Sequence, residues 1–175
     1  LNGVKAEIIP LNEDFSINLE AFSKANGTVF IANPNAPTGM AVSLEDIEKI
    51  LLSNPDNIVV IDEAYVDFGA DSAVALTKKY SNLIVVQTFS KSRQLAGARL
   101  GFAIANEEII TDLNTVRFST NPYNINRLTL LAGEAAIKDK AYFDQTRSQI
   151  IANREYTADE LKKRGFRVLD SKTNF

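Results

Sequence analysis

The sequence predicts an α/β layered fold with a mostly parallel sheet. Short β-branched runs alternate along it with segments of helical period, and its 175 residues, 45% apolar and 23% charged, suffice to bury one ordinary core. The strand candidates, in order, are Val4 to Ile9, Thr28 to Ala32, Ile58 to Asp62, Leu83 to Thr88 and Leu100 to Ala105. A helix over Leu44 to Leu52 is marked by Ser43 as its cap, with Asp46 three residues on, and by Leu44, Ile47 and Leu51 on one face. Further helices are expected near Leu19 to Ala25, from Ser72 to Lys79 and after Glu107.

After Pro122 the pattern changes. Ile125, Leu128, Ala132 and Ala135 mark one amphipathic helix, and Phe143, Ile150, Ala158 and Leu161 mark a longer one. Gly165 is placed to stop that helix in a left-handed conformation, and Phe166 to Leu169 reads as a strand resuming beyond it. The chain opens on Leu1 and closes on Asn174-Phe175, directly after that stretch, so both ends read as cut from a longer protein.

Composition excludes several chemistries. There is no cysteine and no histidine, so disulfides, thiolate zinc sites, thiol nucleophiles and histidine bases cannot come from this chain. No metal site is expected, and lysine, carboxylate and tyrosine remain as catalytic groups. The formal charge of −3, with cations scattered, gives no footprint for nucleic acid or an anionic membrane, and no apolar run is long enough to span one. Small-molecule partners and a cytoplasmic location are the expectation.

Three loops, each just after a strand candidate, carry the functional signal, since ligands of open parallel sheets bind beyond the carboxyl ends of the strands. The first is Asn33-Pro34-Asn35-Ala36-Pro37-Thr38-Gly39. Read plainly it is a rigid turn. The second is Asp62-Glu63-Ala64-Tyr65, where a carboxylate could cap a helix or, in a pocket, hold a pyridine nitrogen protonated. The third is Thr88-Phe89-Ser90-Lys91, followed by Gln94-Leu95-Ala96-Gly97-Ala98-Arg99-Leu100-Gly101-Phe102. A lysine beside two hydroxyls and eight residues before an arginine combines an imine-forming amine with a phosphate clamp.

The three motifs in this order resemble the fold-type I, pyridoxal 5'-phosphate (PLP) dependent aminotransferases, and within them the histidinol-phosphate aminotransferases. The resemblance covers essentially the whole chain. It implies part of a three-layer αβα large domain over residues 1–145. Over 146–175 it implies the long inter-domain helix and the first strand of a small α+β C-terminal domain, with truncation at both ends. The implied cofactor is PLP. Lys91 would hold it covalently and move the proton during transfer, Asp62 would pair with the pyridinium, and Tyr65 would bind the 3-oxygen. Thr88, Ser90 and Arg99 would take its phosphate. Where the family usually has asparagine before Pro-Thr-Gly, this chain has Ala36, so Asn33 or Asn35 would substitute, with Asn35 the candidate kept.

The implied reaction passes an amino group from histidinol phosphate to 2-oxoglutarate in histidine biosynthesis. It would take place in a homodimer whose substrate-binding arginines fall beyond Phe175. An aromatic aminotransferase and a threonine-phosphate decarboxylase share these central motifs and stay open. From a different class, the isolated chain would be a non-catalytic scaffold, and it is expected to be inactive or nearly so alone.

Overall fold

The computed structural model describes residues 3–23 and 25–175. Four strands form one sheet in the order β1 (Val29–Ala32), β2 (Val59–Asp62), β3 (Leu83–Thr88) and β4 (Gly101–Ile104). The first two pairs are parallel and the last is antiparallel. The predicted strands at 28–32, 58–62, 83–88 and 100–105 are therefore present, within a residue at each end. Parallel neighbours need a crossover. Helix α2 (Leu44–Ser53) provides it between β1 and β2, and a 3-10 segment over Ala73–Lys78 provides it between β2 and β3.

Strand alternation sends Val29, Ile31, Val59, Ile61, Leu83 and Val85 to one face, where Ile47, Ile50 and Leu51 of α2 and Ala73 complete the core. All are buried, each apolar side chain contributing about 1.5–3 kcal/mol. The opposite face carries Phe30, 71% exposed, in register with Val60 and Ile84. Asp62 follows on that same open face, in register with Ala32 and Val86.

Ser43 caps α2 as predicted, its hydroxyl accepting from the Asp46 amide at 3.1 Å. The helix expected over 72–79 is 3-10 in form. Ser72 caps it by accepting from the Val74 amide, while the Ala73 amide is drawn away to the Glu63 carboxylate. Near the start of the chain, α1 covers Leu19–Phe22, within the predicted span. Asn106 and Asn126 cap α3 (Glu107–Thr120) and α4 (Arg127–Lys138), and Asp139 caps the long α5 (Lys140–Lys163). No helix among the described residues is long and apolar enough to cross a membrane.

Two strand expectations fail for the same reason. Val4 to Ile9 joins no sheet, with Val4 83% and Ile8 89% exposed. Gly165 does end α5 at φ +87°, but Phe166 to Leu169 forms no strand. Apolar alternation makes a segment competent to pair, and neither segment meets an open sheet edge among the described residues.

The chain beyond Gly165 packs instead on the loops at the carboxyl edge of the sheet. The Lys172 amide donates to the Gly39 carbonyl at 2.7 Å, and Arg154 of α5 donates to the carbonyls of Phe68 and Thr173 at 2.8 and 2.7 Å. Gly39 is left-handed at φ +75°, and a Cβ there would collide with the Ser171 side chain. Gly39→Ala is expected to cost about 2 kcal/mol, the scale of a left-handed non-glycine residue, and to lower Tm by about 4–8 °C. A thermal scan by circular dichroism reads it; an unchanged Tm would contradict the packing.

Candidate active site

Because β1, β2 and β3 run parallel and in register through Ala32, Asp62 and Val86, their following loops emerge at one edge. The ladder continues into the loops: the Asn33 amide donates to Asp62 O and the Glu63 amide to Val86 O. That edge gathers Asn33 to Gly39, Asp62 to Tyr65 and Thr88 to Arg99, the three predicted motifs.

Lys91 lies on the connection between β3 and β4. Backbone bonds close its base: Phe89 N to Leu100 O and Leu95 N to Phe89 O, both 3.0 Å. Gln94 and Arg99 are left-handed at φ 57° and 53°. Non-glycine residues held there store strain of about 1–2 kcal/mol each, which accumulates where loop shape matters more than stability. The Lys91 amine lies 4.9 Å from the centroid of the Tyr65 ring, and Phe175 packs edge-on against that ring at 5.3 Å. Lys91 is exposed and makes no ion pair among the described residues.

The other predicted residues differ in how far their polar groups are already used. Asp62 is exposed, with one carboxylate oxygen accepting from the Ala64 amide at 3.0 Å and the other free among the described residues. Arg99 spends one N–H on Ala96 O at 3.0 Å, within its own turn. The Thr88 hydroxyl donates weakly to Leu100 O at 3.3 Å and accepts from the Ser90 amide at 3.1 Å. Of the two asparagines, Asn33 is fully buried and committed, its side chain accepting from Val42 N and donating to Val42 O. Asn35 donates one N–H to the Thr38 hydroxyl at 2.9 Å and keeps the other.

Sequence reasoning gave Glu63 no role. Strand alternation sends it opposite to Asp62, where it is 2% exposed and accepts from Ser72 Oγ at 2.7 Å, Gln87 Nε2 at 2.8 Å and the Ala73 amide at 2.6 Å. Burial raises its pKa above the ordinary glutamate value, against the opposing pull of these three donors. A raised folded-state pKa means the native state keeps this proton longer than the unfolded chain. Its stabilising share is therefore present below the ordinary value and is lost as pH rises through the raised one. Unfolding free energies from urea titrations at pH 4 and upward are expected to decline along that arm, at most by about 1.4 kcal/mol per pH unit, and Glu63→Gln should remove the decline. Parallel profiles for the two proteins would sink this account.

Three other contacts were also missed. Ser92 Oγ donates to Asp67 Oδ2 across the two loops. Arg93 lies 3.5 Å over the Phe143 ring and donates to Ala136 O, tying the lysine loop to α4 and α5. Arg154 makes the staple described above. All are long-range pairings that no local pattern announces, whereas the alternation of β2 could have flagged Glu63.

An exposed amine, a carboxylate with a free oxygen, a phenol and a cation with spare N–H groups are thus gathered by the loops at the carboxyl edge of β1, β2 and β3. The chain belongs to the aminotransferase class I and II family, which matches it over residues 1–175. It is 56% identical over 176 residues to the histidinol-phosphate aminotransferase of Brachyspira hyodysenteriae, covering 100% of this chain and 49% of that protein. It is 53% identical over 175 residues to the enzyme of the same name from Clostridium acetobutylicum, covering 100% and 50%. The chain thus spans about half the length of the curated relatives it matches. The solved histidinol-phosphate aminotransferase from Sinorhizobium meliloti in complex with pyridoxal-5'-phosphate has a TM-score of 0.83 at 25% identity, over 97% of this chain and 47% of that one.

Proposed function

We propose that this chain forms the cofactor-holding part of a PLP-dependent enzyme that moves an amino group from histidinol phosphate to 2-oxoglutarate, giving imidazole acetol phosphate and glutamate. The observation that carries it is the Lys91 amine beside the Tyr65 ring, with Asp62 and Arg99 at the same sheet edge still holding unspent hydrogen-bonding capacity. Such a donor set suits PLP: an amine for its aldehyde, a carboxylate for its ring nitrogen, a phenol for its 3-oxygen, and a guanidinium and hydroxyls for its phosphate. The curated relatives at 56% and 53% identity, both named as histidinol-phosphate aminotransferases, favour this substrate over aromatic amino acids and transamination over decarboxylation.

When bound, the cofactor supplies an aldehyde carbon for amino groups and a conjugated ring that withdraws electrons from the substrate carbon. The protein's part is positioning and proton control. Asp62 would hold a proton on the ring nitrogen and Tyr65 would donate to the 3-oxygen, with the second N–H of Asn35 available where the family usually places its asparagine. Arg99 and Ser90 bind the phosphate, Thr88 joining if its weak bond to Leu100 gives way. Lys91 would hold the cofactor through its amine, and the same amine is the group that would hold and move the proton of the reaction.

In this reading residues 1–145 belong to the large domain and α5 leads into a small one. The whole enzyme is a cytoplasmic homodimer acting on small molecules, without nucleic acid, membrane or metal, and the 175-residue chain alone turns over little or not at all. Incubation with PLP, borohydride reduction and peptide mass spectrometry test it. Pyridoxyl mass confined to Lys91 is the expected result; an adduct spread over surface lysines, in this chain and in the whole enzyme alike, would overturn it.

A further inference from the structure

We propose that Asp67 and Ser92 are a positioning pair that fixes the Lys91 amine relative to Tyr65. The proposal rests on the reading above for the importance of those two residues, but its geometry stands by itself.

Lys91 and Tyr65 sit on different loops, and their mutual placement is not given by either backbone. The backbone bonds that shape the lysine loop lie within it or reach Leu100: Phe89 N to Leu100 O, Gln94 N to Lys91 O, Leu95 N to Phe89 O. Past Glu63, which is bonded to Val86 and Gln87 of β3, the backbone amides around Tyr65 bond within its own turn, Val66 N to Glu63 O and Phe68 N to Tyr65 O. Beyond the end of the sheet, the bond from Ser92 Oγ to Asp67 Oδ2 is the one hydrogen bond among the described residues that joins the two loops.

Its location makes it an effective constraint. Ser92 directly follows Lys91 and is 4% exposed. Asp67 lies in the 3-10 turn Val66–Phe68, which Tyr65 caps. Each anchor is thus one or two residues from the group it would fix, so little chain remains in which slack could accumulate. The acceptor is a carboxylate, which makes the bond a strong charge-assisted one, and burial of Ser92 keeps water from competing for it. Arg93 pins the next residue of the loop from the other side, on Phe143 and Ala136 O, so Lys91 is left to swing only if Ser92 lets go.

Where a reacting amine must meet a fixed partner, a displacement of about 1 Å costs about 10²-fold. Ser92 and Asp67 therefore act through Lys91 without touching cofactor or substrate. A serine that merely filled space would be replaceable by alanine; one that holds the loop needs its hydroxyl.

The test uses the 175-residue chain with two readouts. Without cofactor, competitive acetylation by acetic anhydride followed by mass spectrometry compares the rate at Lys91 with that at exposed Lys78. Ser92→Ala and Asp67→Ala are expected to shift this ratio at least about threefold, and Ser92→Thr, which keeps the hydroxyl, to restore it. With PLP and borohydride, the share of pyridoxyl adduct at Lys91 should fall about tenfold in Ser92→Ala and return in Ser92→Thr. If Ser92→Ala fails to fold by circular dichroism, Ser92→Cys, which keeps the volume and weakens the bond, replaces it. An acetylation ratio equal in wild type, the alanine or cysteine variant and the threonine variant overturns the proposal. A ratio that responds while no selective adduct forms in any variant of this chain, nor in the whole enzyme, leaves the pair standing and overturns the cofactor reading.

Discussion

Under the proposed function, Lys91→Ala is expected to abolish the covalent hold on PLP and to lower amino transfer by the whole enzyme on the order of 10⁴-fold, the upper range for loss of a positioned acid–base group. No neighbour can take over. The chain has no histidine, and the nearby cations Arg93 and Arg99 carry other contacts. Binding of PLP itself should persist, because Asp62, Tyr65 and Arg99 are untouched, which separates loss of chemistry from loss of site. Lys91→Arg should be as inactive as Lys91→Ala, since charge without a transferable proton does not help. Glutamate formation in a steady-state assay measures both, and a variant within tenfold of wild type would remove Lys91 from the mechanism.

Phe68→Ala is expected to cost about 4 kcal/mol and lower Tm by about 8–16 °C. Phe68 is fully buried, yet it lies outside the cluster between the sheet and α2. It sits in the 3-10 turn that packs on α5, and its carbonyl is one of the two that Arg154 holds. The cavity left by its ring would open at the joint between the site loops and α5 rather than in the sheet core. Thermal melting reads the loss. The same variant should also loosen the contact of Phe175 with Tyr65, visible as increased accessibility of Tyr65 to nitration by tetranitromethane. A drop in Tm of under about 3 °C would mean that this joint carries little stability.

Much of the architecture was legible because its signals are local. Val29 to Ala32, Val59 to Asp62 and Leu83 to Thr88 are apolar runs with a punctuated end, and Ser43 marks its helix by the spacing to Asp46 alone. The three site loops were legible because parallel strands put their following loops at one edge. What was hidden depends on partners. Val4 to Ile9 and Phe166 to Leu169 have strand-like composition and nothing described to pair with. Ser92 and Asp67 are 25 residues apart, and Arg154 reaches a carbonyl 86 residues away, separations at which a single sequence carries no trace of contact. Glu63 was an intermediate case, visible in the motif but without its function until the facing of β2 was known.

That facing has a consequence for how the site tolerates change. Asp62 and Glu63 are adjacent acids with opposite assignments: one open to solvent at the sheet edge, the other enclosed by three donors. A strand repeats every two residues, so sliding β2 by one position against its neighbours would exchange them. Glu63 would turn outward on a longer arm, Asp62 would be driven inward among groups it cannot reach, and Ile61 would leave the core. An insertion or deletion in the short link between α2 and β2 therefore cannot be absorbed as a graded shift. It must be taken up entirely within the link, or it inverts the strand and forfeits both the buried anchor and the open carboxylate in one step.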